Sequence, residues 1–284
     1  MGDNDNGFGV ALPERSCSAN LAGRFAREIE LTQPQPKRAS LFVTCIIDQL
    51  YPEVGVSVVR TLRRCGVEVD FPASQSCCGQ PLYNSGFTQE AKRLAMRTLD
   101  VFEDADYVVV PSGSCGAMLR VFYLDLFADN PDMLPKAESL SGRVYEFTEF
   151  LAEVVGVEEA GGEESGPAQT VAYHPSCHLL REMEVRDAPL RLLESAPRVE
   201  LADLPDAEQC CGFGGTFAVK YPHISEEMLA DKIESILASG ADTVTACDMG
   251  CLMHIRGAVS RRNLPVAVKH VAQVLDGARD GESG

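Results

Sequence analysis

Short apolar runs bounded by polar residues recur along the chain. SLFVTC (40–45) and TVAYH (170–174) are β-rich and read as buried strands. After the first, Val54, Val58, Leu62 and Cys65 fall at i, i+4, i+8 and i+11, one face of a helix closed by Gly66. VEVDF (67–71) reads as a second strand. Ala91, Leu94, Ala95, Thr98, Leu99 and Phe102 then repeat at helical spacing behind Thr88, the expected cap. In the second half Ser225 is the expected cap, with Glu226 and Glu227 in the first turn and Leu229, Ile233, Ile236 and Leu237 as the buried stripe. YVVV (107–110) and TVTA (243–246) read as third strands. Each half is thus strand, helix, strand, helix, strand. That order predicts an α/β fold of two tandem pseudo-repeated domains, each a small, mostly parallel sheet flanked by helices.

The polar, Gly-containing start predicts an N-terminal extension over 1–37, in which LAGRFAREIEL has the makings of a short helix. The first domain then runs over 38–156. VEEAGGEESGP (157–167) has almost nothing to bury and reads as a linker. The second domain spans 168–276 and a tail covers 277–284.

Cysteine carries the repeat most clearly. SQSCCGQP (74–81) is answered by QCCGFGG (209–215). Cys45 stands 132 residues before Cys177; Cys77 and Cys78 stand 133 before Cys210 and Cys211; Cys115 stands 136 before Cys251. VEV (67–69) parallels VEL (199–201), and ADYVVV (105–110) parallels ADTVTA (241–246). Duplication and fusion account for that register. Each cysteine sits at or after the carboxyl end of an expected strand, the edge at which open α/β sheets bind ligands. Four cysteines per half therefore converge, and duplicated domains packed by pseudo-twofold symmetry would turn the two sets toward each other or a shared groove.

Charge and composition narrow the chemistry. The chain of 284 residues carries a formal charge of −17, which repels phosphate backbones and excludes nucleic acid as a partner class. It has no uninterrupted apolar run of membrane-spanning length, and its start lacks the basic and apolar regions of a secretory signal. A cytoplasmic location is expected, with peripheral attachment to a membrane left open. Eleven cysteines in a reducing compartment point away from disulfides, leaving metal ligation, redox chemistry or burial.

Thiolates select zinc, Cu(I) or iron–sulfur clusters. Zinc sites use close CxxC pairs, whereas these spacings are long, and adjacent cysteines point apart along extended backbone. That favours a larger cluster over a single ion, with a zinc-stabilised scaffold as the non-redox alternative. Gly79, Gly212, Gly214 and Gly215 would let the backbone turn tightly and bring N–H groups to cluster sulfur. Cys65 reads as core, and Cys17 in the extension as incidental. No GxGxxG follows a strand, so an organic redox cofactor is not expected here.

Six motifs in order, VTCIIDQLYPEVG, SCCGQPLYNSG, PSGSCGAM, YHPSCHLLRE, QCCGFGGTFAVKYP and GCLMHI, resemble the CCG cysteine-rich domain family over roughly residues 38–275. That domain also occurs in one of the subunits of heterodisulfide reductase and in the iron–sulfur subunit of glycolate oxidase; block by block these motifs look like the lactate-utilisation protein A branch. The resemblance implies an iron–sulfur electron-transfer subunit of a multi-protein system oxidising L-lactate to pyruvate, with other iron–sulfur subunits as partners. It implies Cys45, Cys77, Cys78, Cys115, Cys177, Cys210, Cys211 and Cys251 as ligands. The family's final CxxC is broken by Ser112 and Asp248, leaving four matched cysteines per half, sufficient for an ordinary [4Fe–4S] cluster, one or two per chain. Cys247 is a candidate extra ligand. The alternative is catalysis at a cluster, on a 2-hydroxy acid or a disulfide, with His174, His178 and Arg181 as catalytic candidates. His254 is a weaker candidate for tuning a cluster.

Overall fold

The structure, a computed structural model, describes residues 37–159 and 168–277. The expected extension up to residue 36, its short helix, Cys17, most of the linker and the tail beyond 277 lie outside the described residues.

Strand β1 (Arg38–Leu41) leads into α1 (Cys45–Leu50) and α2 (Pro52–Arg64), then β2 (Glu68–Asp70), α3 (Gln80–Asn84) and α4 (Thr88–Val101). Next come β3 (Val108–Val110), α5 (Gly113–Ala117), a π-helical turn, α6 (Tyr123–Phe127), α7 (Leu134–Ser141), β4 (Val144–Glu146) and α8 (Phe147–Glu149). The second half repeats the plan: β5 (Gln169–Tyr173), α9 (Cys177–Arg181), α10 (Asp187–Glu194), β6 (Val199–Ala202), α11 (Thr216–Lys220) and α12 (Pro222–Ala238). It closes with β7 (Thr243–Ala246), α13 (Met249–Arg262), β8 (Ala267–His270) and α14 (Val271–Asp276). The two sheets have the same order, β2-β1-β3-β4 and β6-β5-β7-β8. Every pairing is parallel. The central strands β3 and β7 are buried along their whole length, as helix-covered parallel strands are.

The expected α/β architecture is therefore present, with four differences of detail. Each sheet has a fourth strand, β4 and β8, beyond the three expected. Thr88 is the first residue of α4 and caps nothing; Phe87 precedes it without a side-chain cap. Ser225 lies one turn inside α12, because Pro222 starts that helix earlier; its hydroxyl donates instead to Gly212 O at 2.8 Å. Leu237 is 44% exposed, at the end of the helix, while Leu229, Ile233 and Ile236 are buried.

One apolar core runs through both halves, from Leu41, Val54, Val58 and Phe147 to Val171, Leu192, Val244 and Val274. A second cluster, built on Phe42, Leu99, Phe102, Tyr123 and Phe127, fills the other side of the first sheet. The helix face anticipated from Val54, Val58 and Leu62 packs on α14, where Arg64 donates to Leu275 O at 2.7 Å. Glu146 and His270 end β4 and β8, and each caps the following helix through a capping box. No helix among the described residues is long and apolar enough to cross a membrane.

Candidate metal centre

In each half the loops after the first three strands deliver thiols to one end of the sheet. Cys45 and Cys177 open α1 and α9, directly after β1 and β5. Cys77–Cys78 and Cys210–Cys211 follow β2 and β6, and each pair is succeeded by a glycine with positive φ: Gly79 at 89° and Gly212 at 84°. That conformation lets the chain turn back at once, so the glycine N–H reaches the sulfur two residues earlier, Gly79 N to Cys77 Sγ at 3.5 Å and Gly212 N to Cys210 Sγ at 3.4 Å. Cys115 and Cys251 lie in the first turns of α5 and α13, after β3 and β7.

The thiols draw together in pairs, with Cys45 Sγ 3.8 Å from Cys77 Sγ and Cys78 Sγ 3.3 Å from Cys115 Sγ. Donation from Cys45 and from the Gly79 N–H, with the Cys78 thiol alongside, holds the Cys77 thiol down to about 3. Cys177, Cys211 and the Gly212 N–H do the same to Cys210, down to about 2. Their neighbours Cys45, Cys78, Cys177 and Cys211 are pushed up, by hydrogen bonding among the thiols and then by burial. Each set thus favours a thiolate at its centre, the form that ligates metal.

All eight thiols line a single cavity of about 220 Å³, together with Gln80, Asn84, Ser114 and His178. Gly214 and Gly215 line it as well, on the turn into α11. The two sets face a shared space, as the duplication suggests. Its wall is closed at the join by Ser112 and Asp248, the two positions that interrupt the CxxC pattern. Each caps its helix, Ser112 from Cys115 N and Asp248 from Gly250 N. Across the join Asp248 Oδ2 accepts from Ser112 Oγ at 2.8 Å and from Ser114 N at 2.9 Å.

The other candidates separate. His174 is fully buried at the end of β5; one of its ring nitrogens lies within 4.8 Å of Cys211 Sγ and Cys251 Sγ, and neither nitrogen reaches hydrogen-bond geometry with a partner. Burial, reinforced by Lys232, lowers its pKa to about 4 and keeps it neutral. His178 lines the cavity, edge-on to Phe122. Arg181 is exposed, donates to Glu208 O at 3.4 Å, and lies outside the cavity lining. Cys247 is buried away from the cavity, its Sγ 3.8 Å from Tyr173 Oη and 4.0 Å from Thr148 Oγ1. Cys65 is half-buried against the core. His254 Nε2 lies 3.2 Å from Ser225 Oγ; since that hydroxyl's one proton goes to Gly212 O, the ring donates.

Lys232 was not anticipated. Its side chain is buried in α12, and Nζ donates to Asp206 O at 2.8 Å and Ala207 O at 3.2 Å. It breaks the apolar run at 229, 232, 233 and 236, and that break is its signal in the sequence.

The donor set fits an iron–sulfur cluster in each half: four convergent thiols, a favoured thiolate, an inward glycine N–H and, in the second half, an unpartnered buried imidazole. The cysteine-rich domain model CCG matches residues 39–120 and again 171–256. Lactate utilization protein A of Geobacillus kaustophilus (strain HTA426) is 49% identical over 239 residues, 84% of this chain and 98% of that protein. Its namesake from Shouchella clausii (strain KSM-K16) is 49% identical over 237 residues, 84% of this chain and 98% of that one. A solved structure of a hypothetical protein from Helicobacter pylori superposes with a TM-score of 0.55 at 11% identity, over 92% of this chain and 54% of that one, a likeness of fold alone.

Proposed function

Because this chain belongs to the lactate utilization protein A family and carries two CCG cysteine-rich domains, we propose that it is an iron–sulfur electron-transfer subunit of a cytoplasmic multi-protein system oxidising L-lactate to pyruvate. The observation that carries the reading is the pair of four-thiol sets lining one cavity. Cys45, Cys77, Cys78 and Cys115 hold one [4Fe–4S] cluster; Cys177, Cys210, Cys211 and Cys251 hold the other. When bound, such clusters supply one-electron transfer. The chain's own residues do the rest. Gly79 and Gly212 direct N–H groups at thiolate sulfur, and the Ser112–Asp248 contact fixes the helices bearing Cys115 and Cys251 to each other. Electrons enter and leave through partner iron–sulfur subunits.

His178 in the cavity wall favours a second reading, catalysis at a cluster on a 2-hydroxy acid or a disulfide. The first test is iron and acid-labile sulfide analysis of protein purified without oxygen, with an EPR spectrum after reduction, followed by lactate oxidation with partner subunits. Near-equal iron and sulfide, up to two clusters per chain, supports the proposal; zinc without sulfide overturns it. A His178→Ala chain with full iron content and no lactate-linked activity would favour the second reading.

A further inference from the structure

The two thiol sets share a frame but not their neighbours. Phe42 and His174 are equivalent: each follows the first strand of its sheet and donates its backbone N–H to the third strand, to Val109 O and Thr245 O respectively. Thr98 and Lys232 are equivalent as well. Gly79 faces Ala91 and Leu94 on α4, and Gly212 faces Ser225 and Met228 on α12, an offset of 134 that carries Thr98 onto Lys232. The buried stripes agree, Ala91, Ala95, Thr98 and Leu99 against Ser225, Leu229, Lys232 and Ile233. At the helices that begin with Cys45 and Cys177, Ile46 and Gln49 correspond to His178 and Arg181. At these four positions the second half carries cationic or protonatable side chains, and the first carries apolar or neutral ones.

Lys232 matters most. It is buried, and its hydrogen-bond partners are two carbonyl oxygens, not a carboxylate. Burial opposes its charged form, and the Cys211 thiolate, the Asp206 carboxylate and the Cys177 and Cys210 thiolates favour it. A buried ammonium needs nearby anions, and three thiols of the second set supply them together with the Asp206 carboxylate. In the first half Thr98 turns its hydroxyl back to Leu94 O and supplies no charge. Positive charge and N–H groups beside a cluster stabilise its reduced, more negative state. His174 adds an imidazole beside Cys211 and Cys251, where the first half has the apolar ring of Phe42.

We propose that Lys232 and His174 rank the two sites, so that Cys177, Cys210, Cys211 and Cys251 form the higher-potential centre and an electron received by the chain comes to rest in the second half. The inference rests on reading both sets as cluster sites. One electron, supplied by an external one-electron donor protein, reduces the second centre while the first stays oxidised. No bond is made or broken, and the electron leaves to an external one-electron acceptor.

The test is an equilibrium redox titration of the intact, iron-loaded chain followed by EPR, with Cys78→Ser and Cys211→Ser assigning each signal to its half. Two separated midpoints are expected, the higher one lost in Cys211→Ser. Lys232→Met should shift the higher midpoint down and leave the lower in place; His174→Phe should do the same to a smaller extent. Thr98→Lys should shift the lower midpoint up. A single shared midpoint, a higher midpoint belonging to the first half, or unmoved midpoints in His174→Phe and Thr98→Lys at full iron content would overturn the ranking. The last two variants decide the matter if Lys232→Met fails to fold. A wild-type chain that holds no iron and sulfide fails before any titration, and so refutes the cluster reading instead of the ranking.

Discussion

The glycines after the two Cys-Cys pairs look interchangeable in sequence, yet the structure assigns them different tolerances. A Cβ on Gly212 would stand 2.7 Å from Ser225 O and 2.9 Å from Met228 Cβ, and the first of these is helix backbone that cannot swing aside. A Cβ on Gly79 would meet Ala91 O at 3.5 Å and Leu94 Cβ at 3.6 Å, ordinary contact. Both substitutions incur the left-handed penalty for an L side chain, about 1–2 kcal/mol. Only Gly212→Ala adds the cost of an overpacked contact, about 1–3 kcal/mol. Gly79→Ala, at about 1–2 kcal/mol, should therefore lower Tm by about 2–8 °C, and Gly212→Ala, at about 2–5 kcal/mol, by about 4–20 °C and more than Gly79→Ala, using about 2–4 °C per kcal/mol for a chain of this size. The assay is thermal unfolding without oxygen, followed by circular dichroism, on protein of matched iron content. Equal losses, or a larger loss at Gly79, would refute the reasoning, because the packing of α12 on the second Cys-Cys-Gly turn would then not be as tight as these distances require.

Three further outcomes are expected. Cys78→Ser and Cys211→Ser should each remove the iron of one half, while Cys17→Ser leaves iron and sulfide unchanged; metal analysis decides. In a double-mutant cycle of Ser112→Ala and Asp248→Ala, urea unfolding should give a coupling of about 1.5–3 kcal/mol, the range for a hydrogen bond to a charged acceptor, and additive losses would mean that the contact contributes nothing. Glu146 is fully buried, and burial pushes its carboxyl up to about 7 from an ordinary 4.5. The folded chain then keeps a proton that the unfolded chain has released between those values, so the contribution of Glu146 to stability falls as pH rises through that window, while buried His174 and His270, both held down to about 4, contribute a rise below about 6.5. Glu146→Gln should remove the carboxyl contribution, about 3 kcal/mol at most, so that stability rises more steeply with pH in the variant than in the parent chain; identical pH profiles of urea midpoints would place the titration elsewhere.

Much of this was legible from the chain. The three strands ending near cysteines were readable because β-branched runs such as YVVV and TVTA are long enough to stand out, and the thiol register was readable from the near-constant offset. The fourth strands were not, because VYE and AVKH are three and four residues long and run straight into apolar helices, so no alternation marks them. Ser225 looked like a cap because Glu226 and Glu227 follow it; Pro222 starts the helix sooner and frees the hydroxyl for Gly212. Lys232 was visible as a break in an apolar stripe, but its meaning depends on which carbonyls and thiolates lie beneath α12. The Ser112–Asp248 contact had no local signal, since it joins residues 136 apart through the packing of one half on the other.

That contact also bears on ancestry. Ser112 and Asp248 occupy the same place in the two repeats, each capping the helix after a third strand, and they touch. A position that touches its own counterpart lies on a twofold axis. In a dimer of identical chains such a position meets itself, so an aspartate there would confront a second aspartate and a serine a second serine. A donor facing a carboxylate is open only to a molecule whose two halves are free to differ. Fusion of the repeats into one chain therefore did more than tether them. It freed the axis from self-complementarity, and the same freedom extends to the neighbours that distinguish one thiol set from the other.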